Sequence, residues 1–169
     1  MGKNGKIFVK LLLWLAAGVL ICIIFIFSSQ EGAVSHRISR GVIREAALHI
    51  ELPDILMNLR SKTGYSYNFL LRKAAHFTIF FTFAIVLYLA FKSFVKKQII
   101  IKTFLCCVFL AVIDECRQMF VAGRSARFAD ILIDAVGALC GLMLISLISC
   151  ISRTVKKSGL NSKISGRLF

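Results

Sequence analysis

Three short stretches of this chain hold the residues best suited to chemistry. Asp114, Glu115 and Gln118 stand together, Asp130 and Asp134 follow four apart, and Arg72, Lys73 and His76 lie well upstream. On a helix, residues three or four apart share a face. Asp114 with Gln118 and Asp130 with Asp134 therefore each form a polar edge, and His76 shares a face with Lys73 and with Arg72. Carboxylates near a histidine suit general acid and base work, and a guanidinium fork suits phosphate oxygens. No G-x-S-x-G, H-E-x-x-H or phosphate-cradling glycine loop accompanies them, so no established motif assigns a reaction.

The elements that must position these residues are apolar. The chain has 169 residues, 58% of them hydrophobic, with a single proline, Pro53. That composition indicates one integral membrane domain. Four runs are predicted to cross, over about 7–27, 74–91, 99–121 and 129–151, each near the roughly 20 residues a spanning helix needs. The second helix is expected to begin upstream near Tyr67. The first run is too long for a signal peptide and exits through FIFSSQEGA, so it reads as a retained helix. Between the first two spans, Val34, Ile38, Val42, Ala46 and Ile50 recur every four residues, with His36, Arg37, Arg40 and Arg44 among them. That period predicts an amphipathic helix on the bilayer surface, with a second short helix starting at Pro53. The expected fold is all-α: a four-helix membrane bundle over residues 1–152, followed by a basic tail, 153–169, whose Gly and Ser residues suggest flexibility.

Charge sets the orientation. Four spans put both termini and the turn at Lys92, Lys96, Lys97 and Lys102 on one side, with twelve of the 22 basic residues and none of the eight acidic ones. Lysine and arginine near span ends favour the cytoplasm, so both termini are expected there, in a cell membrane. The net charge of +14 is thereby explained by topology, and nucleic acid is not an expected partner. The six cysteines fall in or beside the spans without C-x-x-C or metal-ligand spacing and read as small apolar residues. In this topology Ser28, Ser29 and Gln30, then Arg72, Lys73 and His76, then Asp114, Glu115 and Gln118, and finally Asp130 and Asp134 all fall at the outer boundary. Gly137 and Gly141 continue the acidic face of span four inward, allowing close helix approach.

The chain resembles the VanZ-like family of small bacterial membrane proteins. The resemblance rests on F-S-S-Q-E at Phe27 to Glu31, R-K-A-A-H-F at Arg72 to Phe77 and D-E-C-R-Q-M-F at Asp114 to Phe120. Gly123-Arg124 and the series Asp130, Asp134, Gly137 and Gly141 complete it. Family members often carry Asn where this chain has Asp134. The resemblance implies a four-helix membrane fold and an association with resistance to teicoplanin-type glycopeptide antibiotics.

Two roles for the outer charges follow. In the first, Gln30, Arg72, Lys73, Gln118, Arg124, Asp130 and Asp134 bind the head group of an envelope amphiphile: a polar lipid, a lipid-linked wall precursor or a lipoglycopeptide. A catalytic version adds His76 as general base or acid, Asp114 or Glu115 as its orienting partner, and Arg72 with Arg124 on phosphate. In the second, the charges only pair to lock helix ends. One histidine without a ligand-pair spacing argues against a metal, and no cofactor is expected. A carrier of only four spans would have to act as a homo-oligomer.

Overall fold

The computed structural model describes residues 3–29, 67–92, 94, 97–121 and 127–165. The surface helix expected at 34–50, the short helix after Pro53, and the candidate residues Gln30 and Arg124 lie outside the described residues. The described chain forms four helices: α1 (Lys3–Ser29), α2 (Tyr67–Phe91), α3 (Ile99–Gln118) and α4 (Phe128–Ser165). It is a helical membrane bundle. Ile7–Ser29, Leu70–Phe91 and Phe128–Val155 are each long and apolar enough to cross a bilayer.

Helix α3 is different. Its 20 residues, at about 1.5 Å each, match a hydrocarbon core of roughly 30 Å. Yet it carries four charged residues, Lys102, Asp114, Glu115 and Arg117, more than the apolar stretch of any of the other three. Its buried residues are Thr103, Cys107, Leu110, Ala111, Asp114, Glu115 and Gln118, recurring at three- and four-residue steps. Leu105, Phe109, Val112 and Ile113 face outward. The helix is therefore apolar outside and polar inside at one end, which suits a lipid solvent.

Helix α4 runs on through the segment whose Gly and Ser residues suggest a flexible tail, keeping helical backbone to Ser165. Its one glycine there, Gly159, costs about 1 kcal/mol relative to alanine and does not break the helix. At 38 residues α4 is about 57 Å long, so its end projects beyond the apolar stretch that closes at Val155.

The most extensive interface joins α2 to α4, which run in the same direction. Gly137 and Gly141 make it possible. A Cβ on Gly137 would lie 2.5 Å from the Phe77 carbonyl oxygen, and one on Gly141 would lie 3.2 Å from the Phe81 carbonyl carbon. The core of Ile24, Phe80, Phe83, Ala84, Leu87, Cys107, Ala111, Ala138 and Leu142 fills the bundle. At the end holding the amino terminus, Trp14 packs on Phe91 and Phe94, and Lys10 lies over the Phe94 ring. Outside, Phe8, Leu11, Leu15, Phe109, Met143 and Leu147 are exposed, a surface suited to lipid rather than water.

Gln98, just before α3, has φ 55° and ψ 34°, a left-handed conformation that disfavours a side chain. Gln98→Gly is expected to raise stability by about 0.5–1 kcal/mol. Thermal unfolding of the purified chain in detergent would measure it; a lower midpoint would contradict that conformation.

Candidate functional site

Among the described residues, the buried polar and charged ones are Ser28, Lys73, Thr103, Asp114, Glu115, Gln118 and Asp134. Thr103 donates to the Ile99 carbonyl of its own helix. The other six lie at the opposite end of the bundle, at the close of α1 and α3 and the opening of α2 and α4. Those described residues of the layer expected from the sequence thus lie at one end of the bundle, with every helix contributing.

The glycine contact sets the register of one half of it. Because Gly137 rests on the Phe77 backbone, Asp134, one turn earlier on α4, comes opposite His76. A further turn up, the Lys73 ammonium pairs with the Asp130 carboxylate, with side-chain exposures of 11% and 15%. His76 Nδ1 and Asp134 Oδ1 are 3.6 Å apart, close enough to attract and too far to share a hydrogen bond. His76 therefore faces Asp134, whereas the sequence points to Asp114 or Glu115 as its partner. The reason is the register between parallel α2 and α4, which spacing within a single helix does not reveal.

The other half is built on α3. Gln118 Nε2 donates to Asp114 Oδ2 at 3.0 Å along the helix. Glu115 Oε1 accepts the backbone N–H of Arg127 at 2.5 Å, which ties the end of α3 to the residue preceding α4. Arg117 turns to α1. It donates to the Phe25 carbonyl at 2.7 Å and to the Ser29 hydroxyl, with its guanidinium 4.5 Å from the centre of the Phe25 ring. Arg72 is half-buried and within electrostatic reach of Glu115 and Arg127. Lys73 lies within reach of Glu115 and Asp134 as well as of its partner Asp130.

The sequence alone does not single out Arg117 and Arg127 as residues of the layer. Arg117 reads as one of several partners for acids, yet it binds a backbone carbonyl on another helix. Arg127 contributes its main chain. The F-S-S-Q exit signals Ser28 and Ser29 but not that the former is fully buried while the latter holds Arg117. Replacing Arg117 by Met is expected to lower stability by about 1–3 kcal/mol, the usual cost of losing bonds to a charged donor. Thermal unfolding measures the loss, and an unchanged midpoint would mean that α1 is held by its apolar contacts alone.

Among the described residues, no group of three His, Cys, Asp or Glu is placed to hold a metal ion. The arrangement instead gathers hydrogen-bond acceptors and cations in a low-dielectric layer. Three atoms in it, Ser28 Oγ, Asp114 Oδ1 and Asp134 Oδ1, are buried without a hydrogen-bond partner.

Apolar helices around a polar layer at one bundle end define a polytopic helical membrane protein. A family model described as VanZ/LLP1 matches residues 13–149, and the chain belongs to that family. The match spans the layer from Ser28 to Asp134 and the glycine contact below it. No curated protein and no solved structure matches the chain.

Proposed function

We propose that this VanZ-family membrane protein binds the polar head of an envelope amphiphile at the layer formed by Arg72, Lys73, His76, Asp114, Glu115, Gln118, Asp130 and Asp134. The observation that supports the reading is the set of buried oxygens left without partners. A buried polar atom without a hydrogen bond costs about 1–3 kcal/mol, and a ligand donor would recover it. By the positive-inside rule, the layer faces away from the cytoplasm. Lipid-linked wall precursors, polar lipids and lipoglycopeptides would all reach it there. Lowered susceptibility to a teicoplanin-type glycopeptide is the matching phenotype, through the drug itself or through the precursor it recognises.

The test compares wild type with His76→Ala, Glu115→Gln and Arg124→Ala at equal abundance in a glycopeptide-susceptible bacterium. The variants are expected to lose most of the protection, whereas neutralising Lys156 and Lys157 is expected to leave it intact. The reverse pattern would sink the assignment. Incubation of purified protein with a lipid-linked wall precursor separates binding from chemistry. Turnover that disappears in His76→Ala would make His76 a general acid or base, with Asp134 orienting it.

A second reading is favoured by the pairs that close the layer on itself. Lys73 with Asp130 and Arg117 with α1 join separate helices, as charges that only lock helix ends would. The two readings differ in what restores function.

A further inference from the structure

In the half of the bundle away from the polar layer, a groove of about 640 Å³ opens between the start of α3 and the later turns of α4. Ile100 on α3 and Leu139, Met143, Ser146, Leu147 and Cys150 on α4 line it. The α4 residues recur at three- and four-residue steps and so form one face. The Ser146 hydroxyl donates to the Leu142 carbonyl of its own helix at 2.7 Å, which leaves the groove an apolar lining. From Leu139 to Cys150 the helix rises about 17 Å. That is close to half of a hydrocarbon core roughly 30 Å thick, the depth of a single leaflet.

The charge at that end narrows the occupant. Lys92, Lys97, Lys102 and Arg153 are exposed there, whereas the described carboxylates, Asp114, Glu115, Asp130 and Asp134, all belong to the opposite end. Arg153 stands three residues past Cys150 and seven past Ser146, so it continues the groove's face toward the aqueous boundary. On the α3 side, Lys97 precedes Ile100 by three residues. A second copy of the chain would bring the same cations to this end and no described carboxylate to meet them, and like charges repel. A lipid of opposite charge meets both conditions, with hydrocarbon for the groove and an anion for its rim. We propose that the groove seats one acyl chain of an anionic phospholipid whose phosphate is held by Arg153 and Lys97. A guanidinium fork suits phosphate oxygens, and basic residues where helices reach the membrane surface attract anionic heads. This site is separate from the polar layer. By the positive-inside rule it lies in the cytoplasmic leaflet.

The experiment titrates the purified full chain in detergent with phosphatidylglycerol or phosphatidylcholine of the same acyl chains and reads the first bound lipid by native mass spectrometry. Phosphatidylglycerol is expected to be retained about tenfold more strongly, the effect of two basic side chains near a membrane surface. Lys97→Gln with Arg153→Gln is expected to bring it down to the level of phosphatidylcholine. Ser146→Phe, which fills the groove with a ring, is expected to weaken both lipids. Ile148→Phe, at an exposed position outside the lining, is expected to change neither. The wild-type contrast and the charge variant stand without Ser146→Phe should it fold poorly. Equal retention of the two lipids by wild type overturns the proposal. So does a preference that survives both the charge variant and Ser146→Phe, which would assign it to lipid surrounding the bundle at large. A preference abolished by His76→Ala would move the lipid to the polar layer and overturn the groove. A dimer that Ser146→Phe dissociates would give the groove to a second copy and overturn it as well.

Discussion

Gly141→Leu is expected to lower the thermal midpoint by about 5–10 °C and to abolish any activity that depends on the polar layer. The position has no spare room. A Cβ there would lie 3.2 Å from the Phe81 carbonyl carbon and 3.4 Å from an Ile85 side-chain carbon. Backbone cannot swing aside as a flexible side chain can, so α4 must move away from α2. Overpacking typically costs about 1–3 kcal/mol, and a leucine against main chain belongs at the upper end. The damage extends two turns up, because the same contact holds His76 opposite Asp134 and Lys73 opposite Asp130. Gly137→Ala, which would place its Cβ 2.5 Å from the Phe77 carbonyl oxygen, is expected to act in the same direction. Gly18→Ala is the control. Nothing lies within 4 Å of a Cβ there, and a mid-helix alanine gains up to about 1 kcal/mol over glycine. A Gly141→Leu protein as stable as wild type would mean that α2 and α4 do not cross at these glycines.

That crossing also marks how far the sequence reaches. Apolar run length predicts α1, α2 and α4 because lipid demands a continuous hydrophobic stretch whatever the packing. The spacing of Asp130, Asp134, Gly137 and Gly141 correctly puts acids and glycines on one face of α4. What the spacing leaves out is which partner each residue meets. Asp134 against His76 depends on the axial register of two parallel helices with 36 residues, 92–127, between them. Arg117 against the Phe25 carbonyl depends on a side chain reaching a neighbour's main chain, which no pattern of residue types reports. The extension of α4 to Ser165 is missed for a different reason. Gly and Ser lower helix propensity by fractions of a kcal/mol to about 1 kcal/mol each, too little to stop a helix already nucleated within a bilayer.

Removing the charge of Lys73 while keeping that of Asp130 is expected to cost about 3–5 kcal/mol, because it strands a nearly buried carboxylate. Lys73→Met alone should therefore unfold at a markedly lower temperature, and Asp130→Asn alone should behave similarly. The double variant Lys73→Met with Asp130→Asn removes both charges and is expected to regain most of the loss, since apolar or neutral replacements of a buried ion pair are often nearly neutral. The exchange of Lys73→Asp with Asp130→Lys tests the pair with its charges transposed. Stability recovered in the double variant shows only that the two residues answer each other across α2 and α4. Function separates the readings of the layer. If the charges merely lock helix ends, glycopeptide protection must return together with stability in the neutral double variant. If the ammonium of Lys73 helps to fix a bound head group beside Asp134, the neutral protein will be stable and abundant and still unprotective. Recovery of both properties in the neutral variant would remove Lys73 and Asp130 from the binding site and leave them as a clasp between two helices.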